Sequence, residues 1–145
     1  MTPSDTLANM LFGACDWTTK VNIILVEDDP AVRHSLEMLL VMNGHEVRAH
    51  ESGTNALQAP PIDQSACLII DYILPDTDGL TLLGMLRSKG WTGAAFLITG
   101  HYDHALEERA LEAGFKKRFE KPFHYLEIVH EVEKLMSQQA QVKRI

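Results

Sequence analysis

Five polar residues follow apolar, strand-like runs at positions far apart in the chain. They are Glu27 and Asp28 after NIILV, Asp71 at the end of ACLIID, Thr99 at the end of AAFLIT, and Lys121 after KKRFE. Clustered carboxylates repel one another unless a cation intervenes, and Mg²⁺ prefers oxygen ligands. With the metal bound, Asp71 could act as a nucleophile toward phosphorus. Lys121 and the metal would then neutralise phosphoryl oxygens, and the Thr99 hydroxyl would hydrogen-bond one of them.

These residues can act together only if the fold brings the ends of their strands to one place. Short apolar runs alternate five times with amphipathic segments, which predicts an α/β domain with a parallel sheet wrapped by helices on both faces. In such a sheet the carboxyl ends of the strands share one rim, where ligands bind. Helix signals support this order: Asp29 and Asp103 are predicted N-caps, and Gly114 a helix stop.

Length and charge restrict the class of protein. A chain of 145 residues suits a single domain. The net charge of −7 argues against direct nucleic-acid binding and against docking on an anionic membrane. No apolar run is long enough to span a bilayer. The two cysteines, Cys15 and Cys67, form no zinc-like cluster, and we expect a reducing, cytoplasmic location.

The regular pattern divides the chain into three parts. Residues 1–20 lack periodicity and are expected to be an N-terminal extension. Residues 21–138 carry the alternating elements of the domain, and residues 139–145 are expected to be a C-terminal tail. The sequence leaves open whether the chain is full length or a fragment of a longer protein.

From Val21 to Met136 the chain resembles a response-regulator receiver (CheY-like) domain of two-component signalling. Four motifs carry the resemblance, namely ILVEDDP, IIDYILPDTDG, LITG and EKPF. Each is weak alone, but together at these spacings they are highly specific. The resemblance implies a flavodoxin-like fold with five parallel strands in the order 2-1-3-4-5.

The family's functional residues carry over position by position. Asp71 matches the phosphoacceptor. Glu27 and Asp28 match the acidic pair of a Mg²⁺ site, with Asp28 favoured as the direct ligand, and Ile73 matches the residue whose backbone carbonyl completes that site. Thr99 matches the switch hydroxyl and Lys121 the invariant lysine. Pro122 matches a proline that usually follows a cis peptide bond.

One position departs from the family pattern. Receivers usually carry Phe or Tyr three residues before the lysine, as a rotameric switch. Arg118 occupies that position here, which puts the usual coupling of Thr99 to an aromatic ring in doubt. Tyr102 is a compensating switch candidate, because the T-G-x-Y motif that starts at Thr99 is similar to a receiver subfamily that lacks the usual aromatic.

The resemblance implies a phosphorelay module whose output is protein binding. The expected partners are a sensor histidine kinase or phosphotransfer protein and a downstream protein target, and a homodimer is compatible with the sequence. Activity would be limited to Mg²⁺-dependent self-phosphorylation and autodephosphorylation. Alternatives are a degenerate receiver acting as a phosphorylation-independent scaffold or dimerisation module, an aspartyl-phosphate phosphohydrolase and a nucleotide-binding flavodoxin-like protein. Ile73, two residues after Asp71, disfavours the phosphohydrolase. The EDDP motif after the first strand disfavours the nucleotide-binding protein.

Overall fold

The computed structural model describes residues 22–58, 67–100 and 103–143, and within these ranges five strands alternate with five helices. The elements are β1 (Asn22–Val26), α1 (Pro30–Met42), β2 (Glu46–His50), α2 (Gly53–Gln58), β3 (Cys67–Asp71), α3 (Gly79–Ser88), β4 (Ala94–Thr99), α4 (His104–Ala113), β5 (Lys117–Glu120) and α5 (Tyr125–Lys143). The strands form one parallel sheet in the order β2-β1-β3-β4-β5. The predicted class and strand order are confirmed.

The core has two apolar layers, one on each face of the sheet. Alternate residues of a strand point to opposite faces, so Ile23 and Leu25 of β1 enter one layer while Ile24 and Val26 enter the other. Helices α1 and α5 cover the first layer, and α2, α3 and α4 cover the second. All five residues of β3 are buried, which is expected for the middle strand of a sheet covered on both sides.

Two helix N-caps and one helix end lie at the residues that the sequence predicts. The Asp29 carboxylate accepts a hydrogen bond of 2.9 Å from the backbone N–H of Ala31, and Asp103 accepts one of 3.0 Å from Ala105. Gly114 ends α4 with a left-handed φ of 105°, a conformation in which a glycine carries no side-chain penalty. These three predictions are confirmed.

Helix α5 runs past residue 138, where the sequence predicts the end of the domain. It continues to Lys143 because no glycine or proline interrupts the stretch SQQAQVK. The limits of the domain and its tail stay a prediction, and the extension of residues 1–20 lies outside the described residues. Among the described residues, no helix combines the length and apolar character that crossing a membrane requires.

Gly79, the first residue of α3, allows the helix to approach the end of β3. A Cβ at this position would lie 2.9 Å from the backbone oxygen of Asp71 and 3.0 Å from Cδ1 of Leu97. We therefore expect Gly79→Ala to lower the free energy of unfolding by about 1–3 kcal/mol, the usual cost of overpacking a core. Urea denaturation would measure it.

Gly84 provides a matched control in the same helix. A Cβ there would meet no atom within 4 Å. Gly84→Ala should therefore raise the free energy of unfolding by about 0.5–1 kcal/mol, as alanine does at an exposed helix position. Equal effects of the two substitutions would contradict the close approach at Gly79.

Candidate functional site

The strand order brings the predicted site residues to one rim of the sheet. Asp71 is the last residue of the central strand β3, whose neighbours are β1 and β4. Glu27 follows β1, Thr99 ends β4, and Lys121 follows β5. The backbone N–H of Lys121 donates a hydrogen bond of 2.8 Å to the carbonyl of Thr99, which links these two strand ends.

Lys121 joins the two buried carboxylates. Its Nζ lies 2.9 Å from Oδ2 of Asp71 and 3.1 Å from Oε1 of Glu27, and it donates a hydrogen bond to each. Glu27 is fully buried and Asp71 is 6% exposed, so both charges depend on this ammonium group. Burial lowers the pKa of Lys121, but the hydrogen bonds to Asp71 and Glu27 more than offset this, so its pKa is raised.

The acidic residues fit a small divalent cation. Carboxylate oxygens of Glu27, Asp28 and Asp71 lie within 4.8 Å of one another. One ammonium does not balance three carboxylates. Oε2 of Glu27 lies 3.0 Å from Nζ of Lys121 as an ion contact, yet accepts no well-aligned hydrogen bond among the described residues. The donor set is all oxygen, which suits Mg²⁺. The predicted site residues Glu27, Asp28 and Asp71 therefore lie together.

The pKa of Glu27 reflects this crowding. Burial, and then the negative charge of Asp71, raise the pKa of Glu27 from 4.5 to about 7. In the unfolded chain the carboxyl keeps its ordinary pKa, so folding favours the protonated form. The stabilising contribution is therefore complete below about pH 4.5 and is lost as the pH rises through about 7.

We expect the metal-free protein to lose stability between pH 5 and pH 8 because of Glu27. The loss in unfolding free energy should be on the order of 3 kcal/mol relative to Glu27→Gln, whose amide does not titrate. Mg²⁺ should stabilise the wild type more at pH 8 than at pH 5, because it competes with the Glu27 proton. Urea denaturation in EDTA and in Mg²⁺ measures both effects. If the stability of the wild type and of Glu27→Gln changed identically with pH, the raised pKa of Glu27 would be contradicted.

The remaining predicted residues do not all lie in the acidic group. The backbone N–H of Ile73 donates a 3.3 Å hydrogen bond to Oδ1 of Asp71, which keeps Ile73 beside the acidic group; its carbonyl as a metal ligand stays a prediction. Thr99 is buried at the rim. The Lys121–Pro122 peptide is cis, as predicted. Tyr102 lies outside the described residues.

Arg118 lies away from the carboxylates. Phe119 is buried in the core layer with α1 and α5, and Arg118 points to the other face of β5, as expected for adjacent strand residues. The Arg118 side chain is only 15% exposed, and its Nη2 lies 3.9 Å from Oε1 of Glu107 on α4. A charged contact between β5 and α4 therefore occupies the position where receivers usually place an aromatic ring.

Two contacts near the site were missed from the sequence. Arg33 folds back over the loop after β1, and its Nη1 donates hydrogen bonds to the carbonyls of Glu27 and Asp28. Asp76 accepts hydrogen bonds from the backbone N–H groups of Gly53 and Thr54 at the start of α2. Neither contact has a local sequence signal.

Comparison with known proteins gives concordant matches. Residues 23–133 match the model of the response regulator receiver domain. The chain is 33% identical over 116 residues to the transcriptional regulatory protein FixJ of Rhizobium meliloti, covering 80% of this chain and 57% of that protein. It is 32% identical over 116 residues to the response regulator MprA of Mycobacterium ulcerans, covering 80% and 50%.

A solved structure agrees with these sequence matches. The crystal structure of FixJ-N superposes with a TM-score of 0.72 at 32% identity, covering 81% of this chain and 94% of that one. The chain spans about half the length of the FixJ and MprA proteins that it matches.

Proposed function

Because the chain belongs to the response regulator receiver domain family of two-component signalling, we propose that Asp71 accepts a phosphoryl group from a sensor histidine kinase or a phosphotransfer protein. Phosphorylation would then switch binding of a downstream protein target. The observation that supports this most is the contact of Lys121 with both Asp71 and Glu27 at the end of the central strand. The proposed location is the cytoplasm.

Each residue has a definite part in the proposed transfer. An Asp71 carboxylate oxygen attacks the phosphorus of a phosphohistidine, an O–P bond forms, and the P–N bond breaks with its electrons leaving on the imidazole. Lys121 then neutralises phosphoryl oxygens, and the Thr99 hydroxyl donates a hydrogen bond to one of them. Glu27, Asp28, Asp71 and the Ile73 carbonyl would hold Mg²⁺. The bound ion would supply further positive charge to the transferring group.

The test is intact mass after incubation with Mg²⁺ and acetyl phosphate. We expect one phosphoryl group per chain, absent when EDTA replaces Mg²⁺. A folded protein that takes up neither this phosphoryl group nor beryllofluoride would contradict the proposal. That result would favour the degenerate receiver, which scaffolds or dimerises without phosphorylation.

We propose that Arg118 contributes to the switch through its contact with Glu107. In place of a rotating aromatic ring, an ion pair would connect β5 to α4, which follows the Thr99 loop. A phosphorylation-dependent homodimer through α4 and α5 is part of the same proposal, since the pair lies beside that face. The contact distance of 3.9 Å indicates a modest interaction, worth about 1 kcal/mol or less.

We expect Arg118→Met to leave phosphorylation of Asp71 unchanged and to weaken its effect on α4. Hydrogen exchange of residues 104–113, with and without beryllofluoride, measures that effect. The protection difference should shrink by about 1 kcal/mol or less, the free energy of this ion pair. Glu108→Gln, on the same helix, serves as the control. A full wild-type response in Arg118→Met would contradict the role of Arg118.

A further inference from the structure

Arg33 connects helix α1 to the loop that carries two of the proposed metal ligands. Its backbone N–H donates a hydrogen bond of 2.9 Å to the carbonyl of Asp29. Its guanidinium Nη1 lies 2.9 Å from the carbonyl oxygen of Glu27 and 3.3 Å from that of Asp28. A single nitrogen therefore bridges two consecutive carbonyls of the loop.

The loop has few other restraints. The Glu27 N–H donates to the carbonyl of His50 in β2, and the Asp29 N–H donates to the Glu27 carboxylate. Asp28 is exposed. Among the described residues, Arg33 is the side chain that holds the Asp28 backbone through a hydrogen bond. The guanidinium therefore restrains the backbone from which the Asp28 carboxylate projects.

We propose that Arg33 is a positioning residue for the divalent-cation site, and that it favours Mg²⁺ over larger cations. This rests on the proposed function, since it concerns the same acidic group. Mg²⁺ demands nearly octahedral ligands at about 2.0–2.1 Å, whereas Ca²⁺ accepts looser arrangements at about 2.3–2.6 Å. A loop that loses its restraint should therefore lose Mg²⁺ affinity more than Ca²⁺ affinity.

Charge and geometry predict opposite results, which makes the proposal testable. A guanidinium beside the site repels a metal cation, so removal of its charge alone would strengthen binding of both ions. Removal of its hydrogen bonds would misplace the Glu27 and Asp28 carboxylates and weaken binding of Mg²⁺. Residues that orient metal ligands typically change affinity by about 10–100-fold when replaced.

The experiment measures the dissociation constants of Mg²⁺ and of Ca²⁺ by calorimetry, with no phosphodonor present. The proteins are the wild type, Arg33→Met, Arg33→Lys and Arg48→Met. Arg48 is exposed on β2, so its replacement removes the same charge without touching the loop. We expect Arg33→Met to bind Mg²⁺ about ten-fold more weakly and Ca²⁺ nearly as well as wild type. Arg33→Lys should recover part of the loss, and Arg48→Met should resemble wild type.

Equal losses for the two ions, or tighter Mg²⁺ binding in Arg33→Met, would overturn the proposal. Should Arg33→Met be too unstable to titrate, the ratio of the two affinities in Arg33→Lys provides the same criterion. The outcome is separable from the proposed function. A wild type that binds Mg²⁺ but accepts no phosphoryl group removes that function alone, whereas unchanged affinities in the Arg33 variants remove this inference alone.

Discussion

Replacing Asp71 by Asn should abolish Mg²⁺-dependent phosphorylation of the chain. The amide oxygen is a poor nucleophile, and loss of a nucleophile reduces rates by about 10³-fold or more. The fold should persist, because Asn has nearly the same shape and Lys121 retains its hydrogen bond to Glu27. Intact mass after incubation with acetyl phosphate measures the adduct, and urea denaturation measures the fold.

The control for Asp71→Asn is Asp103→Asn. Asp103 caps α4 at an exposed position, and asparagine is an equally good N-cap. Asp103→Asn should therefore take up the phosphoryl group like the wild type. An adduct that survives in Asp71→Asn would place the acceptor at another residue and contradict the proposed site.

Lys121→Met should separate phosphoryl transfer from metal binding. Without the ammonium, no protein cation within the described site neutralises the transferring phosphoryl oxygens, and the rate should fall by about 10²–10³-fold. Mg²⁺ affinity should hold or rise, because the amine no longer competes for the carboxylates of Glu27 and Asp71. Mass spectrometry over time and calorimetry measure the two quantities.

The stability of Lys121→Met should depend on pH. At pH 8 the metal-free variant retains two buried carboxylates without their cation, a defect that typically costs about 3–5 kcal/mol when both partners are buried. Lys121 is 27% exposed, so we expect about 2 kcal/mol, less at pH 5 where Glu27 is protonated. Lys116→Met, on an exposed residue just before β5, is the control. A loss of Mg²⁺ affinity in Lys121→Met would contradict the role of Lys121 in phosphoryl transfer alone.

Much of the site could be predicted because its residues follow strand ends. Once alternating elements indicate a parallel sheet, Asp71, Thr99 and Lys121 must share a rim, whatever their separation in sequence. Caps such as Asp29 and Asp103 were predictable because their partners lie two residues away. Strand order came from the resemblance to receivers, since alternation alone allows several orders.

The contacts that could not be predicted join segments with no shared pattern. Asp76 lies 23 residues from Gly53, and its hydrogen bond to that N–H depends on where two loops meet in space. Arg33 occupies a partly exposed position on a helix. In the sequence, such a position is as typical of a solvated arginine as of one that contacts a neighbouring loop. The contact of Arg118 with Glu107 depends on the distance between β5 and α4, which sequence spacing does not define.

The buried pair Glu27 and Asp71 also has an evolutionary consequence. Both carboxylates lie at the ends of neighbouring buried strands. In the absence of a metal ion, a neutral side chain of similar shape at either position would make the folded state more stable. A lineage released from selection for phosphorylation should therefore accumulate substitutions at Glu27 and Asp71 early, and each could raise stability. Loss of both acids would leave the Lys121 ammonium without these two hydrogen-bond partners, so we expect Lys121 to change in the same lineage.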